Sequence, residues 1–287
     1  MTITIFEDKD CKGKSQVLSG SIADLKNHPA DKPGSIRLTS DTESVLLFKN
    51  DDWHGGALHI RGPKTVGDLG SAKEGGRFGF GNSVRSVRLS AFTISLNISV
   101  VTDGDDMPGV FPNRDWVDLA VRDVVTRANG FLITRRAMLN LEIARITYRD
   151  DSDHFNLSNV ESWSYPSAWK EKGEVDVIFV NRFEKEGVGG RTKMPCFGKT
   201  VVVAFVANLK DEPDKVMNTE DVANILVHEI GHYFGLGHGT ADKDTDNIMF
   251  EDFAIGTPLS AQELWSDQIR EMHDRLANNI SRKGDRD

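Results

Sequence analysis

The chain has 287 residues, a net charge of −9, 38% hydrophobic and 28% charged residues. This is the composition of a globular chain with room for two domains, and no apolar run is long enough to span a bilayer. Two cysteines, Cys11 and Cys196, are too few for a disulfide framework and read as free thiols.

Residues 2–90 read as short strands separated by turn residues. Two stretches echo each other, one from Phe6 through Cys11 to Gly13 and one from Phe48 through Trp53 to Gly55. Each puts an aromatic residue first, a bulky or apolar residue five later and a glycine seven later. Each is followed by a similar strand, Ser35–Leu38 and Ser86–Leu89. A repeat of roughly 45 residues predicts two copies of one supersecondary unit. Charge separates the two parts: residues 1–91 hold 13 Lys/Arg against 11 Asp/Glu, the remainder 22 against 33. Neither +2 nor −11 suits a nucleic-acid binder.

From residue 92 the pattern changes. Ile94, Leu96, Ile98 and Val100 alternate as in a half-buried strand. Val117, Val121, Val124 and Ala128 recur at helical spacing, and Asn129-Gly130 reads as the helix stop. Residues 139–148 form a second strand, while Val175–Val180 and Thr200–Ala207 are apolar runs of the buried parallel kind. A helix follows, with Asn218 or Thr219 as cap and Val222, Leu226 and Ile230 as its buried stripe. Ser260 to Glu263 reads as a capping box opening a last helix with Leu264, Ile269, Met272 and Leu276.

Residues 228–238 read His-Glu-Ile-Gly-His-Tyr-Phe-Gly-Leu-Gly-His. On a helix His228 and His232 share a face, so two imidazoles can grip one ion with Glu229 beside it. Gly235 permits a left-handed turn that ends the helix and swings His238 back as a third ligand. Three protein ligands with an open position is the catalytic pattern of zinc, not the closed structural one. The other histidines, His28, His54, His59, His154 and His273, have no partner at ligand spacing and read as surface residues.

This string resembles the signature of the metzincin metallopeptidases, His-Glu-x-x-His-x-x-Gly-x-x-His. Asp246 to Phe250 looks like their Met-turn, with Met249 beneath the metal. Glu251 stands where astacins and serralysins carry a tyrosine ligand, so the run looks more like the matrixin, reprolysin or pappalysin branches. The first 90 residues resemble the βγ-crystallin Greek-key motif. Together the resemblances imply a multidomain chain: an all-β Greek-key βγ-crystallin-like domain at 1–91, then an α/β metzincin-like (zincin) catalytic domain at 92–287. They imply a zinc endopeptidase acting on protein or peptide substrates, with His228, His232 and His238 as ligands and Glu229 as general base. The segment from Val188 to Phe197 would be the edge strand of its cleft. The alternative is a non-catalytic zinc-dependent binding protein with a crystallin-like interaction module.

Calcium is a second candidate ion. In the crystallin-like part the first acidic or amide position of the calcium-binding stretch is lost in both copies, at Ala30 and Gly81, and Gly34 and Arg85 stand at the hydroxyl positions. Asp242, Asp244 and Asp246 could hold calcium or form a solvated acidic loop. No inhibitory propeptide is evident, and the crystallin-like domain occupies its place. That leads us to expect intramolecular docking of the two domains, with Cys11 as a conceivable zinc ligand, or a targeting role. The first ten residues lack a basic and then apolar leader; an active protease would endanger its own cytosol, so export without a leader or tight inhibition is the expectation.

Overall fold

The computed structural model describes residues 3–41, 43–53, 55–72, 83–157, 175–193, 200–238, 246–250 and 256–284. The chain forms two compact units. One comprises Met1–Phe92, Arg136–Met138 and Leu264–Asp287, and the other Thr93–Arg135 and Leu139–Glu263.

The first unit opens with β1 (Ile3–Phe6), β2 (Ser15–Leu18) and β3 (Ser35–Leu38), then repeats with β4 (Ser44–Phe48), β5 (Ala57–Arg61), β6 (Lys64–Val66) and β7 (Ser86–Arg88). One sheet has the order β2-β1-β3-β6 and the other β5-β4-β7. β6, from the second copy, therefore closes the sheet of the first. In return Ile22, from the first copy, bridges Val87 in the second sheet. The two inner faces share one core containing Ile3, Ile36, Leu38, Val45, Leu58 and Val87.

The echoed residues build the same corner twice. Cys11 and Trp53 both adopt positive φ, 59° and 62°, as do Gly13 and Gly55 at 74° and 78°. Buried Ser35 Oγ donates to the Asp8 carbonyl and accepts from the Cys11 amide, at 2.6 and 2.9 Å. Ser86 Oγ does the same for Asn50 and Trp53, at 2.7 and 3.1 Å. A left-handed hairpin corner costs backbone energy for a non-glycine residue, and each serine offsets it with two hydrogen bonds.

The second unit holds β8 (Phe92–Thr102), α1 (Arg114–Thr134), β9 (Leu139–Asp150), the short α2 (Ser152–Phe155), β10 (Asn156–Leu157), β11 (Val175–Phe183), β12 (Gly190–Lys193), β13 (Thr200–Ala207), β14 (Lys215–Val216) and α3 (Thr219–Tyr233). Its main sheet runs β12-β13-β11-β8-β9. β11 is parallel to both β8 and β13, while edge strand β12 is antiparallel to β13. All eight residues of β13 are buried. α3 packs on β12 and β13, and α1 packs on β9 and on α3. The unit is therefore a mixed α/β layer structure with both long helices against a largely parallel sheet.

Several expectations change here. β8 alternates only over its first residues and is fully buried from Leu96 onward, because it lies inside the sheet and is covered on both faces. α1 runs through Asn129-Gly130 to Thr134. Asn129 spends its amide on β9 instead, donating to and accepting from the Leu141 backbone at 2.8 and 2.7 Å. The last helix, α4, spans Ser266–Gly284 and does not begin at Ser260. Residues 259–261 make a 3₁₀ turn, and the Glu263 backbone is committed to Asp246 and Ile248.

α4 also groups with the first unit, not with residues 92–263 as chain order suggests. It packs on β5 through buried Ile269, Met272 and His273, and Asp274 accepts from the Ala57 amide. His59 and His273 are therefore core residues and not surface ones. His273 Nε2 donates to the Ala137 carbonyl at 2.8 Å, and its ring lies 5.5 Å from that of Phe92. No described helix is long and apolar enough to cross a membrane.

Candidate metal centre

α3 starts where Asn218 caps it, its side chain accepting from the amides of Glu220 and Asp221 at 2.9 Å each. Its stripe of Val222, Leu226 and Ile230 is buried. The helix ends in a Schellman turn: the Gly235 amide donates to His232 at 2.8 Å and the Leu236 amide to Gly231 at 3.0 Å. Gly235 sits at φ +88°, where a side chain would be strained. The chain reverses there and brings His238 back over the helix.

His228, His232 and His238 consequently meet. Nε2 of His232 lies 3.0 Å from Nε2 of His228 and 2.9 Å from Nε2 of His238. They are the one group of three potential metal-ligating side chains found together among the described residues. The other ring nitrogens fix the tautomers: His228 Nδ1 donates to the Ile248 carbonyl at 2.7 Å and His232 Nδ1 to the Leu236 carbonyl at 2.8 Å. With Nδ1 carrying the proton, each Nε2 presents a lone pair. Converging lone pairs repel unless a cation lies between them. Tetrahedral ligation at 2.0–2.1 Å sets nitrogens ~3.3 Å apart, within a few tenths of the observed spacing. The donor set fits a divalent ion that accepts imidazole.

Beneath the histidines, Asn247, Ile248 and Met249 form a buried turn. Asn247 Oδ1 accepts the Met249 amide at 2.9 Å, and the Phe250 amide closes onto the Asn247 carbonyl at 2.9 Å. The turn supplies the carbonyl that orients His228. It also lies so close to α3 that a Cβ on Gly231 would run into Met249 Sδ. Sequence reasoning places Met249 but misses Gly231, an unassigned position inside the histidine string.

Glu229 is buried one residue along from His228. Burial pushes its carboxyl up to about 8, against the pull of the Arg191 guanidinium. Its Oε2 has no hydrogen-bond partner among the described residues. Burial and the neighbouring His232 push His228 down to about 3, so it stays neutral at physiological pH. A cluster of neutral imidazoles can hold a cation, and a buried carboxyl can take up and release a proton. Glu251, Asp242, Asp244, Cys196, His54 and residues 194–197 of the expected cleft edge lie outside the described residues, whereas Gly190–Lys193 form a strand at the end of the sheet order. Cys11 is a free thiol in the first unit.

No family model and no curated protein matches the chain. Solved structures similar to part of it include βγ-crystallins. A βγ-crystallin from Ciona intestinalis is 24% identical over 31% of this chain and 100% of its own, at TM-score 0.26. The N-terminal domain of Protein S is 22% identical over 31% and 93%, also at 0.26. A βγ-crystallin from an archaeon is 20% identical over 31% and 95%, again at 0.26. The first unit is βγ-crystallin-like in its own strand order, two copies of one motif that each give chain to the other's sheet.

Proposed function

We propose that the chain is a zinc-dependent endopeptidase whose second unit is a metzincin-like α/β catalytic domain. One observation carries the reading: three imidazole Nε2 atoms converge at the end of the helix on which Glu229, the residue after His228, is buried with its Oε2 unpartnered among the described residues. His228, His232 and His238 would hold the zinc through Nε2. A zinc ion bound there supplies a Lewis acid, making water nucleophilic near neutral pH and polarising a peptide carbonyl. Glu229 takes the proton of the attacking water on a carboxylate oxygen and then delivers it to the departing amide nitrogen. The Ile248 and Leu236 carbonyls hold His228 and His232 in the tautomer that ligation needs. β12, which ends the strand order of the sheet, would pair with an extended peptide as an added strand. The crystallin-like unit is proposed to inhibit or to target this activity.

The test is Glu229→Gln, which keeps size and shape and removes the base. We expect zinc content equal to wild type and peptide cleavage reduced by at least about 1,000-fold. Cleavage near the wild-type rate by the zinc-loaded variant would end this mechanism. A wild-type chain that holds zinc and cleaves no member of a broad peptide library would favour the binding-protein alternative.

A further inference from the structure

β12 touches α3 at the turn that carries Glu229, through residues the histidine string does not include. A Cβ on Gly190 would lie 2.8 Å from Glu229 Cγ and 3.0 Å from Oε1, and would also run into Ile225 Cγ2. A Cβ on Gly189 would meet Ile225 Cδ1 at 2.5 Å. Side chains do not tolerate such approaches, so here the bare backbone of β12 lies flush on the helix. Two residues further on the same strand face, Thr192 Oγ1 donates to the Glu229 carbonyl at 2.7 Å. Pairing with β13 fixes the strand along its length, with Gly190 opposite Val203 and Thr192 opposite Val201. The Ala204 amide holds the Gly189 carbonyl at 2.9 Å.

Glu229 is thus fixed at two points. Its side-chain stem rests against the Gly190 backbone, and the peptide group from which it hangs is tied to Thr192. A glutamate has three staggered wells at each of its first two torsions, and a backbone so near that a Cβ built on it would overlap Glu229 Cγ removes some of them. We infer that Gly190 and Thr192 are positioning residues for Glu229, so that the seating of β12 on α3 aligns the carboxylate. The same strand would receive the peptide, and base alignment would then depend on the element that binds substrate. The consequence for catalysis rests on the peptidase reading; the alignment itself does not.

The experiment uses the full chain loaded with cobalt(II) or zinc and compares wild type with Thr192→Val, Thr192→Ser and Gly190→Ala. Four quantities are read: metal affinity, kcat and KM for a cleaved peptide, and acetohydroxamate affinity from the visible spectrum of the cobalt form. A hydroxamate chelates the metal through two oxygens and hydrogen-bonds an adjacent carboxylate, so it reports where Glu229 stands without any turnover. For Thr192→Val we expect metal affinity unchanged, hydroxamate binding weakened about tenfold, kcat lowered about 10–100-fold and KM within about twofold. Thr192→Ser, which keeps the hydroxyl, should restore both. Unchanged hydroxamate affinity in Thr192→Val would overturn the inference. So would a parallel loss of metal affinity, which would reveal a merely structural role. If Gly190→Ala does not fold, the threonine pair still decides. If the wild-type chain cleaves no peptide, the peptidase reading fails while the hydroxamate comparison still judges the positioning.

Discussion

Gly231 shows how one missing side chain shapes the centre. Inside a helix glycine is worth roughly 0.5–1 kcal/mol less than alanine, so Gly→Ala ordinarily stabilises. Here the added methyl would run into Met249 Sδ and lie 3.1 Å from Met249 Cε and 3.4 Å from Leu236 Cδ1, in a place with no exposure to relieve it. Overpacking costs about 1–3 kcal/mol, which outweighs the propensity gain. Gly231→Ala should therefore lower stability by about 1–2 kcal/mol in urea unfolding. It should also weaken zinc by roughly 10-fold or more, because moving Met249 moves the Ile248 carbonyl that orients His228. Shortening the opposing side chain with Met249→Ala should recover part of the loss, and a double-mutant cycle measures that coupling. A Gly231→Ala protein more stable than wild type, with unchanged zinc affinity, would refute the contact.

Among the elements, α4 on β5 carries a pH dependence that can be worked out. His59 and His273 are buried together. Burial, His273 and Arg61 push His59 down to about 3. Burial pushes His273 down to about 4, with Arg88 adding to it and the Ala137 carbonyl opposing. In the unfolded chain both protonate near 6.5. Below that pH the unfolded state binds more protons, so stability is full above about 6.5 and falls as pH drops toward 4 and below. For two groups the slope reaches up to about 2.7 kcal/mol per pH unit. The Asp274 carboxyl, raised mainly by burial, acts in the opposite sense. Urea midpoints of the first unit at pH 7 and pH 5 measure this, and His59→Leu should flatten the dependence by one proton. A midpoint independent of pH over that range would contradict the buried neutral pair. The same elements show what a sequence makes legible. The Asn218 cap, the α3 stripe, the glycine turn and the histidine face each lie within one short segment, so local periodicity and residue chemistry suffice to find them. The serine-tied corners were legible as an echo because the same physics is written twice. The His59–His273 pair, the Thr192–Glu229 bond and the seat of α4 join distant segments, and no local pattern encodes such a partner. Asn129-Gly130 misleads for the same reason: its amide is used by β9, which a helix-stop rule cannot see.

Across the whole molecule, the chain path does not follow the two echoes and the histidine string as separate blocks. The strands of the first unit precede residue 93, yet α4 and Arg136–Met138 group with them. Arg136 donates to the Gly62 carbonyl and Arg61 to the Leu264 carbonyl, both at 2.8 Å. A cut between residues 91 and 92 would therefore leave β5 uncovered in one fragment and the buried face of α4 uncovered in the other. Any test of inhibition or targeting by the first unit has to respect this. A stop after Glu263 makes a cleaner probe. It keeps α3, the three histidines and the Asn247–Met249 turn, whose closing bond from the Ile248 amide ends on the Glu263 carbonyl. It removes the buried side chains of Ile269, Met272 and His273. Burying such an apolar side chain is worth about 1.5–3 kcal/mol, so losing two removes roughly 3–6 kcal/mol from the first unit. That is a large share of what a small domain possesses. The 1–263 chain should show a markedly lowered thermal transition for its β-sandwich while still binding zinc in a competition titration. Unchanged melting of the sandwich would mean that α4 contributes nothing to it. Zinc lost together with α4 would mean that the histidine centre depends on the C-terminal helix after all.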